Sequence, residues 1–119
     1  MAKFLVLIYG DEVRWNAMSE DEMRAHDAAH VAFTAAAGNR IINGEELESP
    51  SRARTLPRRH PNRRPAATDG PFMETKEIIG GYYLLEAANL EEVEALVALL
   101  PEVQADHSGV EIRPVVDHG

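Results

Sequence analysis

The amino-acid sequence predicts an α+β domain in which the order β-α-β-(arm)-β-α-β builds a split, ferredoxin-like sheet. The first indication is a continuous apolar run over residues 4–9, typical of a strand buried on both faces. The second is that two segments with helical start signals separate four strand-like segments. Two right-handed β-α-β units of this kind place both helices on one face of the sheet.

The first helix is predicted from its start and stop signals. Ser19 followed by Glu22 forms a capping box, and the alanine-rich segment runs to about Ala37, where Gly38 ends it. Residues 40–43 then give a short second strand, before the chain turns away.

The second half of the chain repeats this order. Residues 78–87 form the third strand, in which Gly80 and Gly81 permit a bulge or a close backbone approach. Residues 110–116 form the last strand, and Pro114 within it predicts an edge position, since proline cannot donate to a ladder.

Two further segments complete the pattern. Asn89 caps the second helix, whose apolar residues repeat at helical spacing and which Pro101 is expected to end. Residues 11–18 are predicted to be a connection in which Trp15 and Met18 pack back onto the domain.

The sheet is predicted to be covered on both faces. A half-exposed strand alternates apolar with polar residues, but the first and third strands are apolar at successive positions. Two helices cover one face only. We therefore expect a homodimer, in which a second copy of the sheet covers the other face.

Composition bounds the possible functions. The 119 residues suit one domain spanning 1–119, and the absence of cysteine suits a cytoplasmic protein. No apolar run reaches membrane-spanning length. A net charge of −8 argues against nucleic acid as a partner, although six arginines crowd an arm or loose hairpin over about 48–67.

The segments 68–77 and 80–84, which read TDGPFMETKE and GGYYL, resemble the signature of the YCII-related proteins with a DGPF motif. Shorter matches extend over nearly the whole chain. The resemblance implies a ferredoxin-like, dimeric α/β-barrel. It also implies an association of many members with extracytoplasmic-function sigma factors, and a His/Asp pair in some relatives that are small enzymes.

His30 and Asp69 are the candidate catalytic residues. His30 follows Met23 and His26 on one helical stripe, where an imidazole can exchange protons near neutral pH. Asp69 can orient that imidazole. The structural alternatives are a histidine bonded to backbone and an aspartate that initiates a turn before Gly70.

Other polar residues offer weaker patterns. Glu74, Lys76 and Glu77 beside the turn, together with Tyr82, are candidate ligand-binding residues, with a solvated charged segment as the alternative. His26 and His30 have the spacing of a metal pair, to which Asp27 or a distant carboxylate could add a ligand. No recognised metal or cofactor motif accompanies them, so the prediction is no metal and no cofactor.

Two functional hypotheses follow. One is a ligand-binding or regulatory dimer, associated with a sigma factor and recognising a small polar ligand. The other is a cofactor-independent lyase- or isomerase-like enzyme, in which His30 and Asp69 transfer a proton on a small polar organic molecule.

Overall fold

The computed structural model describes residues 1–56, 68–69 and 77–119. The strands are β1 (Ala2–Asp11), β2 (Ile41–Glu46), β3 (Arg54–Thr55), β4 (Thr68–Asp69), β5 (Glu77–Ala87) and β6 (Ser108–Pro114). The helices are α1 (Glu12–Asn16), α2 (Glu20–Ala37), α3 (Leu90–Val97) and α4 (Pro101–Gln104), and short 3₁₀ turns lie at Gly38–Arg40 and Pro50–Arg52.

Four strands form one antiparallel sheet in the order β2-β5-β1-β6, which is the ferredoxin-like arrangement predicted from the sequence. The predicted edge position of the last strand is confirmed, since β6 pairs with β1 alone. A separate two-stranded antiparallel ladder joins β3, which lies within the arm, to β4, which directly follows the arm. The centre of the arm, residues 57–67, lies outside the described residues.

The predicted limits of α2 are confirmed. The Ser19 hydroxyl accepts from the backbone N–H of Glu22, and the Glu22 carboxylate accepts from the backbone N–H of Ser19. Gly38 caps the other end with a φ of 56°. Such a positive φ costs glycine little, because it has no Cβ.

One apolar core lies between the sheet and the helices. It consists of Phe4 and Val6 from β1, Leu85 and Ala87 from β5, Phe33 and Ala37 from α2, Val93 and Val97 from α3, and Leu100. Alternate residues of each central strand face this core, and their neighbours face the other side of the sheet.

Several boundaries differ from the prediction, three of them near the cleft or the sheet edge. β2 continues to Glu46, because Gly44, Glu45 and Glu46 pair with β5. β6 lies two residues earlier than expected, at 108–114, since Ser108 and Gly109 extend its ladder with β1. The segment 12–16, predicted to be part of a connection, is helix α1, capped by the Asp11 carboxylate.

Pro101 plays a different part from the one predicted. Helix α3 ends at Val97, and Pro101 instead begins α4. The first helical position tolerates proline, because its backbone nitrogen needs no intrahelical partner. This fourth helix carries Glu102, a buried carboxylate that the sequence analysis did not single out.

No helix within the described residues is long and apolar enough to cross a membrane.

Candidate functional site

A cleft of about 610 Å³ is lined on one side by the amino-terminal half of α2. Helix α1, strands β2 and β5, and the start of α4 contribute its walls. His26, His30, Tyr83 and Glu102 are among the lining residues. The volume falls in the range of about 300–1,000 Å³ that small-molecule sites occupy.

His30 is held through both of its ring nitrogens. Nδ1 lies 2.8 Å from the hydroxyl of Tyr83, and Nε2 lies 2.8 Å from Oε2 of Glu102. With the neutral imidazole protonated on Nε2, that N–H donates to the carboxylate, and Nδ1 accepts the hydroxyl proton of Tyr83. Side chains, and not the backbone considered as the alternative, therefore satisfy this histidine.

Glu102 is the centre of the cluster. Its side chain is only 4% exposed, and its Oε2 also lies 3.2 Å from Nε2 of His26. The other oxygen, Oε1, is buried without a hydrogen-bond partner in the described part of the chain. A buried carboxylate is costly unless positive charge or several donors compensate it, so this group depends on the two histidines.

Tyr83 is seated by its neighbours on the helix-facing side of the sheet. Its ring packs against Phe33, with centroids 4.7 Å apart, and lies over Gly44 of β2. A Cβ on Gly44 would approach the Tyr83 ring to 2.7 Å, so glycine leaves the space that the ring occupies. Burial foremost, and then the negative charge of Glu102, raises the pKa of the Tyr83 hydroxyl, against a lowering hydrogen bond with Thr34.

Trp15, in helix α1, forms a further wall of the cleft. Its indole covers Gly10 and Gly80, where an added Cβ would come within 2.1 and 2.6 Å of the ring. The indole N–H donates to the Ser108 hydroxyl at 2.9 Å. The predicted packing of Trp15 onto the domain is thus confirmed.

The predicted close approach at Gly80 and Gly81 is confirmed as well. The ladder between β1 and β5 shifts register here, after Ile8 has paired with Gly81. A Cβ on Gly81 would lie 2.9 Å from the backbone oxygen of Glu45, and one on Gly80 would clash with the indole. The missing side chains let β2 approach β5 at Gly81 and let Trp15 of α1 approach β5 at Gly80.

The other predicted site residues are distributed as follows. Asp69 lies in β4, opposite Arg54, and its side chain lies outside the described residues. Glu74 and Lys76 also lie outside them. Glu77 begins β5 opposite Asp11, and Tyr82 lines the cleft.

Sequence reasoning did not assign a role to Tyr83 or Glu102. Tyr83 was visible only as one of several apolar residues of a strand. Glu102 follows a proline at what looked like the end of a helix, and no local signal distinguishes it from the neighbouring exposed glutamates.

Three potential metal ligands meet in this cluster. One donor atom each from His26, His30 and Glu102 lies within 4.8 Å of the others. The spacing of the two histidines is visible in the sequence, where Asp27 or a distant carboxylate was the expected third ligand. The structure identifies that carboxylate as Glu102.

A solved structure with the same fold is 5-chloro-2-hydroxyhydroquinone dehydrochlorinase (TftG) from Burkholderia phenoliruptrix AC1100, in complex with 2,5-dihydroxybenzoquinone. It is similar with a TM-score of 0.51 and 20% identity, covering 98% of this chain and 95% of that chain. This similarity shows the fold alone.

An uncharacterized protein of Rhizobium meliloti (strain 1021) is 32% identical over 114 residues, which are 94% of this chain and 90% of the relative. The family model for the YCII-related domain matches residues 2–118. The match covers the core, the described arm and the cleft together. The chain therefore belongs to the YCII-related family.

Proposed function

We propose that this protein is a small enzyme that moves a proton on a small polar organic molecule bound in the cleft. The observation that carries the proposal is the double hydrogen bonding of His30, to the Tyr83 hydroxyl and to the Glu102 carboxylate. Tyr83 and His30 act as the proton-transfer pair, and Glu102 positions the imidazole. The reaction is lyase- or isomerase-like and needs no cofactor.

The direction of proton flow follows from the hydrogen bonds. As a substrate proton moves to the Tyr83 oxygen, the original hydroxyl proton moves to Nδ1 of His30, giving an imidazolium. Glu102 accepts from Nε2 and stabilises that charge, as the carboxylate of a catalytic triad does. Returning the proton along the same path regenerates the resting state.

Coupling between Tyr83 and His30 is essential to this scheme. Because burial and Glu102 raise the pKa of Tyr83, the free phenolate is disfavoured at neutral pH. The hydroxyl can accept a substrate proton only if it gives up its own at the same time. His30 is the acceptor within reach.

Asp69 keeps a role in the proposal, but not the predicted one of orienting His30. Both nitrogens of His30 already bond Tyr83 and Glu102. A direct bond from Asp69 to His30 would have to displace one of them. We therefore propose that Asp69 meets the substrate or the rim of the cleft, with Glu74, Lys76, Glu77 and Tyr82 as further ligand contacts.

The dehydrochlorinase on this fold acts, by its name, on a chlorinated hydroxyhydroquinone. Small hydroxylated rings and enolisable ketones are accordingly the first compounds to try here. Both carry acidic protons that Tyr83 could accept, and both fit a cleft of this volume.

The test is solvent deuterium exchange followed by ¹H NMR over a panel of hydroxylated aromatics and enolisable ketones. Wild type is expected to exchange protons of at least one compound faster than buffer does. Tyr83→Phe and His30→Gln should each slow that exchange by about 10²–10⁴-fold, the usual contribution of a positioned acid or base.

Tyr9→Phe is the matched control, since Tyr9 also carries a hydroxyl on a central strand but donates it to Glu111 and does not line the cleft. Its exchange rate should equal that of wild type. An unchanged rate in Tyr83→Phe would contradict the proton-transfer scheme. Asp69→Asn, measured alongside, tests whether that carboxylate contributes.

The regulatory alternative, with a small ligand and a sigma-factor partner, predicts a different behaviour of a ligand in the same cleft. It requires ligand binding without proton exchange. Saturation-transfer NMR that detects a bound compound, combined with exchange no faster than in buffer, would favour it over the enzyme.

We also propose a cytoplasmic homodimer assembled through the sheet face opposite the helices. Leu5, Leu7 and Leu84 alternate with core residues and are only partly buried, and Leu5 pairs with Leu84 across two strands. Leu7→Glu should yield a monomer in sedimentation velocity, because a charge would then be buried between the copies. A monomeric wild type would contradict this assembly.

A further inference from the structure

The imidazoles of His26 and His30 lie one helical turn apart on α2 and face Glu102 of α4. Nε2 of His26 lies 3.2 Å from Oε2 of Glu102, and Nε2 of His30 lies 2.8 Å from the same oxygen. Zn–N bonds of about 2.0–2.1 Å at tetrahedral angles put neighbouring donors roughly 3.3–3.4 Å apart. The two histidine–carboxylate separations lie within about 0.6 Å of that spacing. Since all three donor atoms lie within 4.8 Å of one another, modest side-chain shifts would admit an ion.

The oxygen Oε1 of Glu102, unpartnered within the described residues, supplies a second, independent observation. A carboxylate that is 4% exposed keeps one oxygen, Oε1, with no hydrogen-bond partner in the described part of the chain. Histidines in their neutral form offer it hydrogen bonds but no positive charge. A dication bound by Oε2 would compensate the charge, and one bound by both oxygens would also give Oε1 a partner.

The surroundings match those of a metal site that retains open positions. Histidine ligands usually bond a second group through their other ring nitrogen, and Nδ1 of His30 bonds the Tyr83 hydroxyl. All three donor residues line the cleft, so the remaining coordination positions are accessible to water or a ligand. Two histidines and one glutamate, with an open position, form a familiar donor set for zinc.

We propose that His26, His30 and Glu102 bind one divalent transition-metal ion, with Zn²⁺ the best match to their donor chemistry. The proposal revises the prediction of no metal, which rested on the absence of a recognised metal motif. It extends the pair His26 and His30, noted from spacing alone, by the distant carboxylate that the fold brings to them.

Metal binding has a consequence for the proton path, and this consequence rests on the proposed function. With an ion on Nε2, the neutral imidazole of His30 carries its proton on Nδ1 and donates it to Tyr83. Nδ1 can then no longer accept the proton of Tyr83. The ion thus blocks the path, so metal occupancy regulates the same site.

The experiment is a titration of the full chain with Zn²⁺ by calorimetry and with Co²⁺ by its visible d–d absorption. One ion should bind per chain. His26→Ala and Glu102→Gln should each weaken binding by about 100-fold or more, beyond the roughly 10–100-fold typical for the loss of a supporting group. Far-UV circular dichroism checks that both variants fold.

His118→Ala is the matched control, because His118 is an exposed histidine outside the cluster. It should bind with wild-type affinity. Absence of saturable one-to-one binding by wild type would overturn the metal site, as would equal affinity in His26→Ala and wild type. If one of the two ligand variants fails to fold, the other variant and the wild-type stoichiometry still decide.

Tyr83→Phe separates this inference from the proposed function. It keeps all three donors and should still bind the ion, at most about 10–100-fold more weakly, although its proton exchange is lost. Proton exchange by metal-free wild type without any metal binding would overturn only the metal site. One-to-one metal binding together with no exchange by the metal-free wild type would overturn only the proton-transfer scheme.

Discussion

One stripe of helix α2 serves two different environments at its two ends. Phe33 and Ala37, near its carboxyl end, are fully buried against apolar side chains such as Leu85 and Val93. His30 and His26, about one and two turns before Phe33, meet a buried glutamate, and His30 also meets a tyrosine hydroxyl. The same helix face therefore closes the core at one end and lines a cleft at the other.

The two ends obey different physical rules. Apolar burial is not directional and stabilises the fold by about 1.5–3 kcal/mol for each large side chain. Each hydrogen bond of the cluster gains only about 0.5–1.5 kcal/mol net, against the cost of burying a carboxylate. The core end thus stabilises the fold, while the cleft end fixes the positions and protonation of specific atoms.

Phe33→Ala is expected to show the largest effect on stability. Phe33 is fully buried and contacts the Tyr83 ring, so its loss leaves a cavity costing about 3–5 kcal/mol. Urea denaturation measures this. Tyr83→Phe, which removes one hydroxyl at the cleft end, should cost about 0.5–1.5 kcal/mol. A larger loss for Tyr83→Phe than for Phe33→Ala would reverse the contrast between the two ends.

Gly44→Ala is expected to have an intermediate effect on stability and a direct effect on the site. The new methyl group would lie 2.7 Å from the Tyr83 ring and 2.9 Å from the Tyr82 carbonyl oxygen. Overpacking of this kind costs about 1–3 kcal/mol and should displace the ring from His30. Gly109→Ala is the control, since nothing lies within 4 Å of its Cβ position. Equal stabilities of the two variants would show that the Tyr83 ring is not closely packed against Gly44.

The smallest effect is expected at the partly exposed ion pair between Arg40 and Glu92, beside the core end. This hydrogen bond is the main cause of the lowered pKa of Glu92, aided by the backbone N–H of Ala88. A lowered pKa in the folded state stabilises it above the unfolded value of 4.5, and that stabilisation is lost as pH falls through the folded pKa.

Arg40→Gln should therefore lower the urea midpoint slightly at about pH 7, and the difference from wild type should shrink at roughly pH 3. Added salt should reduce the difference at neutral pH, because the pair is partly exposed to solvent. A difference independent of pH would assign the effect of Arg40 to packing, and not to its charge.

Much of the fold was predictable because its signals are local. Ser19 with Glu22, Gly38 and Asn89 mark helix limits through hydrogen bonds or dihedral angles within a few residues of each. The apolar strands and the edge proline likewise predicted the four strands of the main sheet and the edge position of β6. Pro101 was misread because proline is equally compatible with the residue after one helix and the first residue of the next.

The sequence by itself determined the order of the four main strands and the two longer helices, the capped starts of those helices and the stripe that carries His26 and His30. Only the tertiary structure decided what those histidines meet. Glu102 lies 72 residues from His30, and Tyr83 lies 53 residues from it. No local pattern joins residues so far apart, because their contact is created by the packing of α4 and β5 against α2. Local hydrogen bonding fixed the elements, and the site exists only where three of them come together.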